Sequence, residues 1–464
     1  MSPGGALDEP KNAGDAVRAF DRLGRFASLG LSRIEGLMDV LGHPERTFGA
    51  YHVGGTNGKG SVSAHLAAML WGSGFPAGLY TSPALQDPSE RIIVNGYRIA
   101  ADALVSVSRE VLGAARALPE SPTAFEAWTT AAFFHFTRRR VPFAIVEVGL
   151  GGRGDATAVL DAPLVSVVTT VHLDHTAQLG STLGAIAAEK AGIFRPRRPV
   201  VLGRLTGAAR AIAEARAKEL HAPMLRLGWE IRVDRVRPAP EGGVRFDLYL
   251  HRLDGRREVL TDLGTRLSGA HQAVNAALAV AALRAAEGSG GPVVSEEQIR
   301  RRLMAVVWPG RLEQVGDVCL DGAHNLEAAR ALARHLGQRR GHLVWIVGGL
   351  RDRTPGVLLD ALLPLARRVA AVPVERMHAV VRRRRGSAPW SVVAGRQRRF
   401  RTWMRRSNGH GLSGSPTRRS WWPGLSTWSG QSASVSGSYT SAWFFSSRRG
   451  TFSHRDGSAS STGT

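Results

Sequence analysis

A glycine-rich stretch carries the residue types that bind a triphosphate. It follows a short apolar run, precedes a helical pattern, and reads Gly55, Thr56, Asn57, Gly58, Lys59, Gly60 and Ser61. Glycines let backbone N–H groups approach an anion, and the start of a helix adds a favourable dipole. Lys59 supplies a cation and Ser61 a hydroxyl that can ligate Mg²⁺. We therefore predict a phosphate-binding loop, although Gly60 is one residue more than the general pattern has; a glycine-rich turn without a ligand is the alternative.

Lysine is rare in this chain. Of its 61 basic residues, 57 are arginines, and the lysines are Lys11, Lys59, Lys190 and Lys218. Lysine is the more compact cation and can react as an amine, which a guanidinium cannot do. Because arginine is the usual cation here, we predict that Lys59 and Lys190 are chemically required.

Two polar clusters follow apolar runs that are typical of buried strands. Glu147 lies near the end of the run 143–149, and Asp174 and His175 follow the run 164–171. Ligands of parallel sheets bind at the carboxyl ends of the strands, and a buried carboxylate is costly unless it meets a cation. Glu147 is therefore interpreted as a metal ligand, with a structural ion pair as the alternative. His175 taken alone could be a loop histidine, and Asp174 a helix cap.

The elements that position these residues alternate between strand and helix patterns, which predicts an α/β fold. We expect a P-loop, parallel-sheet ATPase domain in residues 1–308. A smaller α/β, Rossmann-like domain in 309–372 is expected to be incomplete. Alternation within 224–267 predicts antiparallel hairpins, and the apolar spacing of 16–42 predicts a helix.

Composition narrows the class of protein. The 464 residues are 43% hydrophobic, and no apolar run reaches the roughly 18 residues of a membrane span. One cysteine, Cys319, excludes an internal disulfide and fits a reducing compartment. Residues 1–15 lack a hydrophobic signal core. We expect a cytoplasmic monomer that acts on small molecules.

The segment 373–464 differs from the rest of the chain. It holds +14 of the net charge of +23, six of the 11 tryptophans, and no lysine. Its sequence shows no helix or strand periodicity. Its Arg/Ser/Gly/Trp-rich composition is what a frameshift near 372–385 would produce. We predict a disordered or out-of-frame tail, a hypothesis that mass spectrometry of a C-terminal peptide can test. A genuine basic arm that binds nucleic acid is the alternative.

Over residues 31–365 the chain resembles the folylpolyglutamate synthase/dihydrofolate synthase family of the Mur ligase superfamily. The phosphate loop is the first of eight motifs that carry the resemblance. The others are Thr81-Ser82-Pro83 with Glu90-Arg91-Ile92; Glu147-Val148-Gly149-Leu150-Gly151-Gly152-Arg153; Leu173-Asp174-His175-Thr176; Glu189-Lys190-Ala191-Gly192-Ile193; His271-Gln272 with Asn275; Trp308-Pro309-Gly310-Arg311-Leu312-Glu313; and Asp321-Gly322-Ala323-His324-Asn325.

The resemblance implies an ATP-dependent ligase that joins L-glutamate to dihydropteroate or to a (poly)glutamylated folate through an acyl phosphate. Another Mur-type amide ligase, or an inactive product whose basic tail binds nucleic acid non-specifically, is the alternative. No specific nucleic acid and no membrane are expected as partners.

Residue roles follow from the same resemblance. Ser61 and Glu147 would hold one Mg²⁺, and Ser82, Glu147 and His175 a second. Lys190 would be carbamylated. Four further positions resemble nucleotide or phosphate contacts, and two resemble folate contacts; they are Asn275, Arg311, Asp321 and His324, and then Phe125 and Asp155.

Four positions depart from the family pattern. Ala84, Gly154 and Ala158 replace a histidine, a leucine and an asparagine beside the folate pocket. Pterin preference is therefore open. The fourth departure is Asp352-Arg353-Thr354 in the C-terminal domain, where the family has Asp-Lys-Asp.

Overall fold

The computed structural model describes residues 9–24, 30–316, 318–337, 343–349, 360–372 and 441–446. In these ranges no helix is long and apolar enough to cross a membrane. The departure at 352–354 lies outside them.

The helices and strands of the larger unit alternate as the sequence predicts. In chain order they are α1 (Ala13–Arg22), α2 (Ser32–Val40), β1 (Gly49–Gly54), α3 (Lys59–Gly72), β2 (Ala77–Tyr80), β3 (Ile92–Val94), β4 (Tyr97–Arg98), α4 (Ala101–Arg116), α5 (Ala124–Arg138), β5 (Phe143–Glu147), β6 (Val165–Thr170), α6 (Thr176–Leu179), α7 (Leu183–Ala191), β7 (Val200–Arg204), α8 (Gly207–Glu219), β8 (Met224–Arg226), β9 (Ile231–Pro238), β10 (Val244–His251), β11 (Arg257–Thr265), α9 (Ala270–Glu287) and α10 (Glu296–Leu303).

The central sheet has eight strands in the order β4-β3-β2-β5-β1-β6-β7-β8. The six strands from β2 to β8 in that order run parallel, while β3 and β4 pair antiparallel at one edge. Strand β1 lies between β5 and β6. The glycine-rich stretch after β1 and the polar residues that end β5 and follow β6 therefore meet at one edge of the sheet, which confirms the predicted α/β architecture.

Helix α9 fills the space between the two sheets of the larger unit. It packs against α3, against β6 and β7 of the central sheet, and against the three-stranded antiparallel sheet β11-β10-β9. Most of its alanines, such as Ala277 and Ala281, are buried. Their small side chains allow neighbouring elements to approach closely on several sides. A helix that is apolar all round also has to be buried. The hairpins predicted for 224–267 are the antiparallel sheet.

The first helical segment is shorter than predicted. Residues 16–42 contain two helices, α1 and α2, rather than one. After α1, Gly24 has a φ of +47°. A glycine in this left-handed region is the usual end of a helix, since side chains other than hydrogen disfavour it. The apolar periodicity continues across this break and therefore hides it.

The start of α5 is fixed as the sequence predicts. The Thr123 hydroxyl accepts from the Glu126 backbone N–H at 3.2 Å, and Glu126 Oε2 accepts from the Thr123 N–H at 2.6 Å. Arg33 of α2 also donates to Glu126 Oε2 at 3.1 Å, and both side chains are buried. This pair orients the first turn of α5, on which Phe125 lies.

The smaller unit has a five-stranded sheet. Its elements are β12 (Glu313–Val315), β13 (Val318–Asp321), α11 (Leu326–Leu336), β14 (Leu343–Gly349), β15 (Ala366–Val372) and β16 (Ser441–Ser446), with the strand order β12-β13-β16-β14-β15. Strands β14 and β15 are parallel, and β16 runs antiparallel to both of its neighbours.

Residues 441–446 form a strand within the tail, although the tail sequence shows no strand periodicity. This segment pairs through its backbone with β13 on one side and β14 on the other. Any extended segment can offer the backbone N–H and C=O groups that a sheet ladder needs, so side-chain periodicity was not a sufficient test. The rest of the tail lies outside the described residues, and the predicted domain boundaries stay predictions.

Candidate active site

The phosphate loop is held to the end of β6. The Thr56 N–H donates to the Thr170 carbonyl at 2.8 Å, and the Asn57 N–H donates to Thr170 Oγ1 at 2.9 Å. The Thr169 hydroxyl donates to the Asn57 carbonyl at 2.7 Å. Sequence reasoning missed Thr169 and Thr170, because β-branched residues at the end of a strand look like ordinary strand formers.

Helix α9 begins against the same loop. The Gln272 side-chain amide donates to Ser61 Oγ at 3.3 Å, and Asn275 Nδ2 donates to Gln272 Oε1 at 3.0 Å. Gly58 has a φ of +92°, and a Cβ placed there would lie 2.7 Å from Asn275 Oδ1. The structure therefore places Asn275 beside the loop, and it adds Gln272 as the residue that contacts the Ser61 hydroxyl.

The Lys59 ammonium lies over the loop. It donates to the Gly55 carbonyl at 3.1 Å and to the Thr56 carbonyl at 3.3 Å. Bound by carbonyls on one side, the ammonium is positioned to balance the charge of an anion held by the loop.

Glu147, the last residue of β5, lies next to β1 in register with Val53. Burial raises the pKa of its carboxyl from 4.5 to about 7, and nearby Lys59 and Arg311 and a backbone hydrogen bond from Ser82 oppose that rise in pKa. The carboxylate is thus close to the loop cation, to an arginine that follows the linker, and to the Ser82 backbone. These four predicted site residues come together.

Lys190 lies in the last turn of α7 with only 5% of its surface exposed. Burial lowers the pKa of its amine from 10.5 to about 7. The Lys59 charge adds to this lowering of the pKa, while Asp174 and Asp155 oppose it. A buried lysine among these charges is a candidate for chemistry that needs a neutral amine.

His175 and Asp174 follow β6. His175 has a φ of +51° and precedes α6, and its Nε2 lies 3.9 Å from Asp174 Oδ1. Asp174 Oδ2 lies 3.6 Å from Nε2 of His324 in the smaller unit. Asp174 therefore connects the two predicted histidines across the junction of the units.

The oxygen donors at this edge of the sheet suit Mg²⁺. Carboxylates and hydroxyls are the hard ligands that this ion prefers, and a divalent cation would favour the ionised form of the buried Glu147. Among the described residues no group of three or more His, Cys, Asp or Glu is placed to hold a metal ion. The predicted sets are Ser61 with Glu147, and Ser82 with Glu147 and His175. Each set includes a serine and at most two residues of those four types, so both sets stay predictions.

Two predicted nucleotide contacts build the turn that joins the units. Asp321 accepts from the Leu312 N–H at 3.0 Å and from the Ala323 N–H at 2.9 Å. Arg311 Nη1 donates to the Gly310 carbonyl at 2.9 Å. Asp321 therefore shapes the linker directly, while the charge of Arg311 acts on Glu147.

The two predicted folate positions differ in their surroundings. The Asp155 carboxylate is buried and accepts from the Leu150 N–H at 2.7 Å, the Thr157 N–H at 3.0 Å and the Thr157 hydroxyl at 2.6 Å. Both of its oxygens therefore hold the 149–157 loop in shape. The Phe125 ring lies against Gly149 and 6.2 Å from the Tyr80 ring. Folate contact by either residue stays a prediction.

Comparison with known proteins agrees with this geometry. Residues 53–283 match the Mur ligase middle domain. The chain is 36% identical over 334 residues to the dihydrofolate synthase/folylpolyglutamate synthase of Bacillus subtilis, across 70% of this chain and 76% of the relative. The chain belongs to the folylpolyglutamate synthase/dihydrofolate synthase family.

Other members of this family give the same result. Folylpolyglutamate synthase of Lacticaseibacillus casei is 34% identical over 367 residues, across 77% of this chain and 84% of that protein. A solved structure described as an FPGS-AMPPCP-folate complex superposes with a TM-score of 0.73 at 34% identity, covering 78% of this chain and 90% of that one. The family resemblance predicted from the eight motifs is confirmed.

Proposed function

We propose that this chain is an ATP-dependent ligase that forms an amide between L-glutamate and the carboxylate of dihydropteroate or of a folate. The observation that carries the proposal is the convergence of Lys59, Glu147 and Lys190 at the phosphate loop of a family member. In the proposed reaction the acceptor carboxylate attacks the γ-phosphorus of ATP and ADP leaves. The glutamate amine then attacks the acyl carbon, loses a proton and expels phosphate.

The chain's own residues would stabilise the charge that develops on the phosphates. Backbone N–H groups of 55–61 and the Lys59 ammonium would bind the triphosphate, and Arg311 would approach from the linker. Fixed cations and N–H groups in a water-poor site are the largest source of stabilisation in such reactions. Asn275, Asp321 and His324 are proposed to complete the nucleotide site.

Magnesium would be held at two positions. Ser61 and Glu147 are proposed for the first ion, and Ser82, Glu147 and His175 for the second. When bound, the ions would neutralise phosphate charge and orient the γ-phosphate. Glu147 is shared, which fits its place between the loop and the Ser82 backbone.

Lys190 is proposed to carry a carbamate. A neutral amine attacks the carbon of CO₂ and then loses one proton, which leaves an anion. The pKa of about 7 leaves much of the Lys190 amine neutral at physiological pH. The guanidinium of arginine stays protonated and cannot react in this way, which accounts for a lysine at this position in an arginine-rich chain.

Which acceptor is preferred can be tested directly. The purified chain would be assayed for radiolabelled glutamate incorporation and ATP hydrolysis, with dihydropteroate and with tetrahydrofolate in parallel. Lys59→Met is the matched loss-of-function control. Glutamate incorporation with one acceptor or both supports the proposal, and none with either, under conditions in which a known family member is active, contradicts it. We propose that Phe125 and Asp155 set the preference for one acceptor over the other. The three departures from the family motifs beside them, Ala84, Gly154 and Ala158, are proposed to contribute.

The surroundings of the enzyme are proposed as well. We expect a cytoplasmic monomer with small-molecule substrates and no specific nucleic-acid partner. The charge distribution supports the expectation about nucleic acid, since +14 of the net +23 belongs to residues 373–464 rather than to the unit that carries the site.

A further inference from the structure

We propose that Asn325 is a positioning residue that fastens the smaller unit to the phosphate loop through the side chain of Asn57. Asn325 lies at the N-cap of α11 and Asn57 in the loop after β1, on different units. The contact is read from the geometry of this chain. Only its consequence for turnover rests on the proposed function.

The two amides bind each other in both directions. Asn57 Nδ2 donates to Asn325 Oδ1 at 3.0 Å, and Asn325 Nδ2 donates to Asn57 Oδ1 at 2.8 Å. A reciprocal pair fixes the distance and also the relative rotation of the two side chains. A single hydrogen bond would leave the rotation free.

The orientation of Asn325 is set by two further partners. Its Oδ1 also accepts from the Ala328 N–H at 3.0 Å, and its Nδ2 also donates to Asp174 Oδ2 at 3.2 Å. A side-chain amide has two donor hydrogens and two acceptor positions, and all four are used here. Exchanging O and N would turn the carbonyl oxygen toward Asp174 and the NH₂ toward a backbone N–H, so only the observed orientation satisfies the site.

The buried position makes this arrangement costly to lose. Asn325 is 7% exposed, so a group that loses its partner cannot easily bind water instead. Neither serine nor aspartate can replace the amide. Both cap a helix well, but a serine is too short to pair with Asn57, and a carboxylate has no donor for Asn57 Oδ1 and would lie beside the Asp174 carboxylate.

The pair positions more than the loop. His324 precedes Asn325, and its Nδ1 lies 2.9 Å from the Gly322 carbonyl while its Nε2 lies 3.6 Å from Asp174. Asp174 thus contacts both His324 and Asn325 at the start of α11. Asn57, in turn, is anchored to β6 by its backbone. The amide pair therefore joins the sheet edge that carries the phosphate loop to the turn that carries His324.

Hydrogen exchange measured by mass spectrometry tests the contact without any ligand. Asn325→Ser keeps a helix cap and removes both bonds to Asn57, so amide exchange in the 55–61 peptide should rise about tenfold. Asn325→Asp should raise it further, because the introduced charge faces Asp174. Asn12→Ser is the matched control, since Asn12 caps α1 by the same type of bond to the Asp15 N–H, in the N-terminal helix.

Coupling between the two residues is the decisive measurement. Asn57→Ser and Asn325→Ser each remove the same pair of bonds, so the double variant should exchange no faster than the faster single variant. Unchanged loop exchange in Asn325→Ser, or additive effects in the double variant, would overturn the proposal. In the glutamate assay, Asn325→Ser should lower kcat about tenfold with a smaller change in KM for ATP. If the wild-type chain adds no glutamate, the proposed function fails while the exchange data still decide this inference.

Discussion

Gly60 packs against the indole of Trp308. A Cβ built on Gly60 would lie 2.9 Å from Trp308 Nε1, which is closer than real Cβ atoms approach, and 3.2 Å from Trp308 Cζ2, which is a tight contact. Gly60 is the residue that departs from the general phosphate-loop pattern. Its place in the first turn of α3 allows the linker tryptophan to lie directly on the helix, so the extra glycine is explained by contact with the linker.

We expect Gly60→Ala to disturb this contact. The added methyl would push Trp308 away or displace the start of α3, at a cost of about 1–3 kcal/mol for overpacking. Thermal unfolding and binding of a non-hydrolysable ATP analogue would measure the effect. Gly113→Ala in α4 is the control, because nothing lies within 4 Å of the added Cβ, and there alanine should stabilise the helix slightly. Equal effects of the two substitutions would contradict the prediction.

Glu147 should make stability depend on pH and on Mg²⁺. Its folded pKa of about 7 lies above the ordinary 4.5. Its contribution to stability is therefore full below pH 4.5 and is lost as pH rises through 7, with a cost of about 3 kcal/mol at pH 8. Glu147→Gln removes this dependence, so without Mg²⁺ the variant should be more stable than wild type at pH 8.

Mg²⁺ should bind wild type but not Glu147→Gln, so at pH 8 with Mg²⁺ wild type should be the more stable of the two. Thermal unfolding at pH 5 and pH 8, with and without Mg²⁺, measures both effects, and Glu35→Gln on the exposed face of α2 is the control. The prediction fails if Mg²⁺ raises the unfolding temperature of Glu147→Gln as much as that of wild type.

The sequence predicts best what local chemistry determines. The phosphate loop, the carboxylate at the end of β5 and the Thr123 cap of α5 depend on neighbours a few residues away, and the structure places each where the pattern indicates. The partners of these residues could not be predicted. Thr170 looks like any strand residue, and the pairing of Asn57 with Asn325 joins positions 268 residues apart.

The tail contains a strand that its side-chain pattern does not predict. Its side-chain pattern indicates no strand, yet 441–446 pairs with β13 and β14 through backbone groups that every residue carries. Composition separates the tail from the rest of the chain but gives no information on where a sheet has room for one more strand.

Lys190→Arg should lower turnover about 100-fold and change the pH profile of stability. The folded pKa of Lys190, about 7, lies below the ordinary 10.5. Its contribution to stability is therefore full above pH 10.5 and is lost as pH falls toward 7. Arginine stays charged over this range, so in CO₂-free buffer, where the Lys190 amine is unmodified, the variant should be less stable than wild type and should lack this recovery at high pH.

The carbamate gives a separate measurement. Carbon-13 NMR in labelled bicarbonate should show a carbamate signal in wild type and none in Lys190→Arg, and glutamate addition should fall about 100-fold. Lys218→Arg makes the same substitution at an exposed position of α8. It should match wild type in the pH profile of stability, the carbamate signal and glutamate addition. A carbamate signal that persists in Lys190→Arg would assign the modification to another amine.

Cutting the chain after Val372 should unfold the smaller unit and spare the larger one. Strand β16 pairs with β13 and with β14, so without it these two strands lose their shared neighbour and expose unpaired N–H and C=O groups. The eight-stranded sheet contains none of these strands and should keep its fold. Hydrogen exchange should therefore accelerate in 318–337 and 343–349 while β1, β5 and β6 stay protected. A cut after Ser446 keeps β16 and is the matched control. If the two truncated chains protect 343–349 equally, the paired strand at 441–446 contributes nothing to the stability of this unit, and the Val372 cut then marks the end of its folded part.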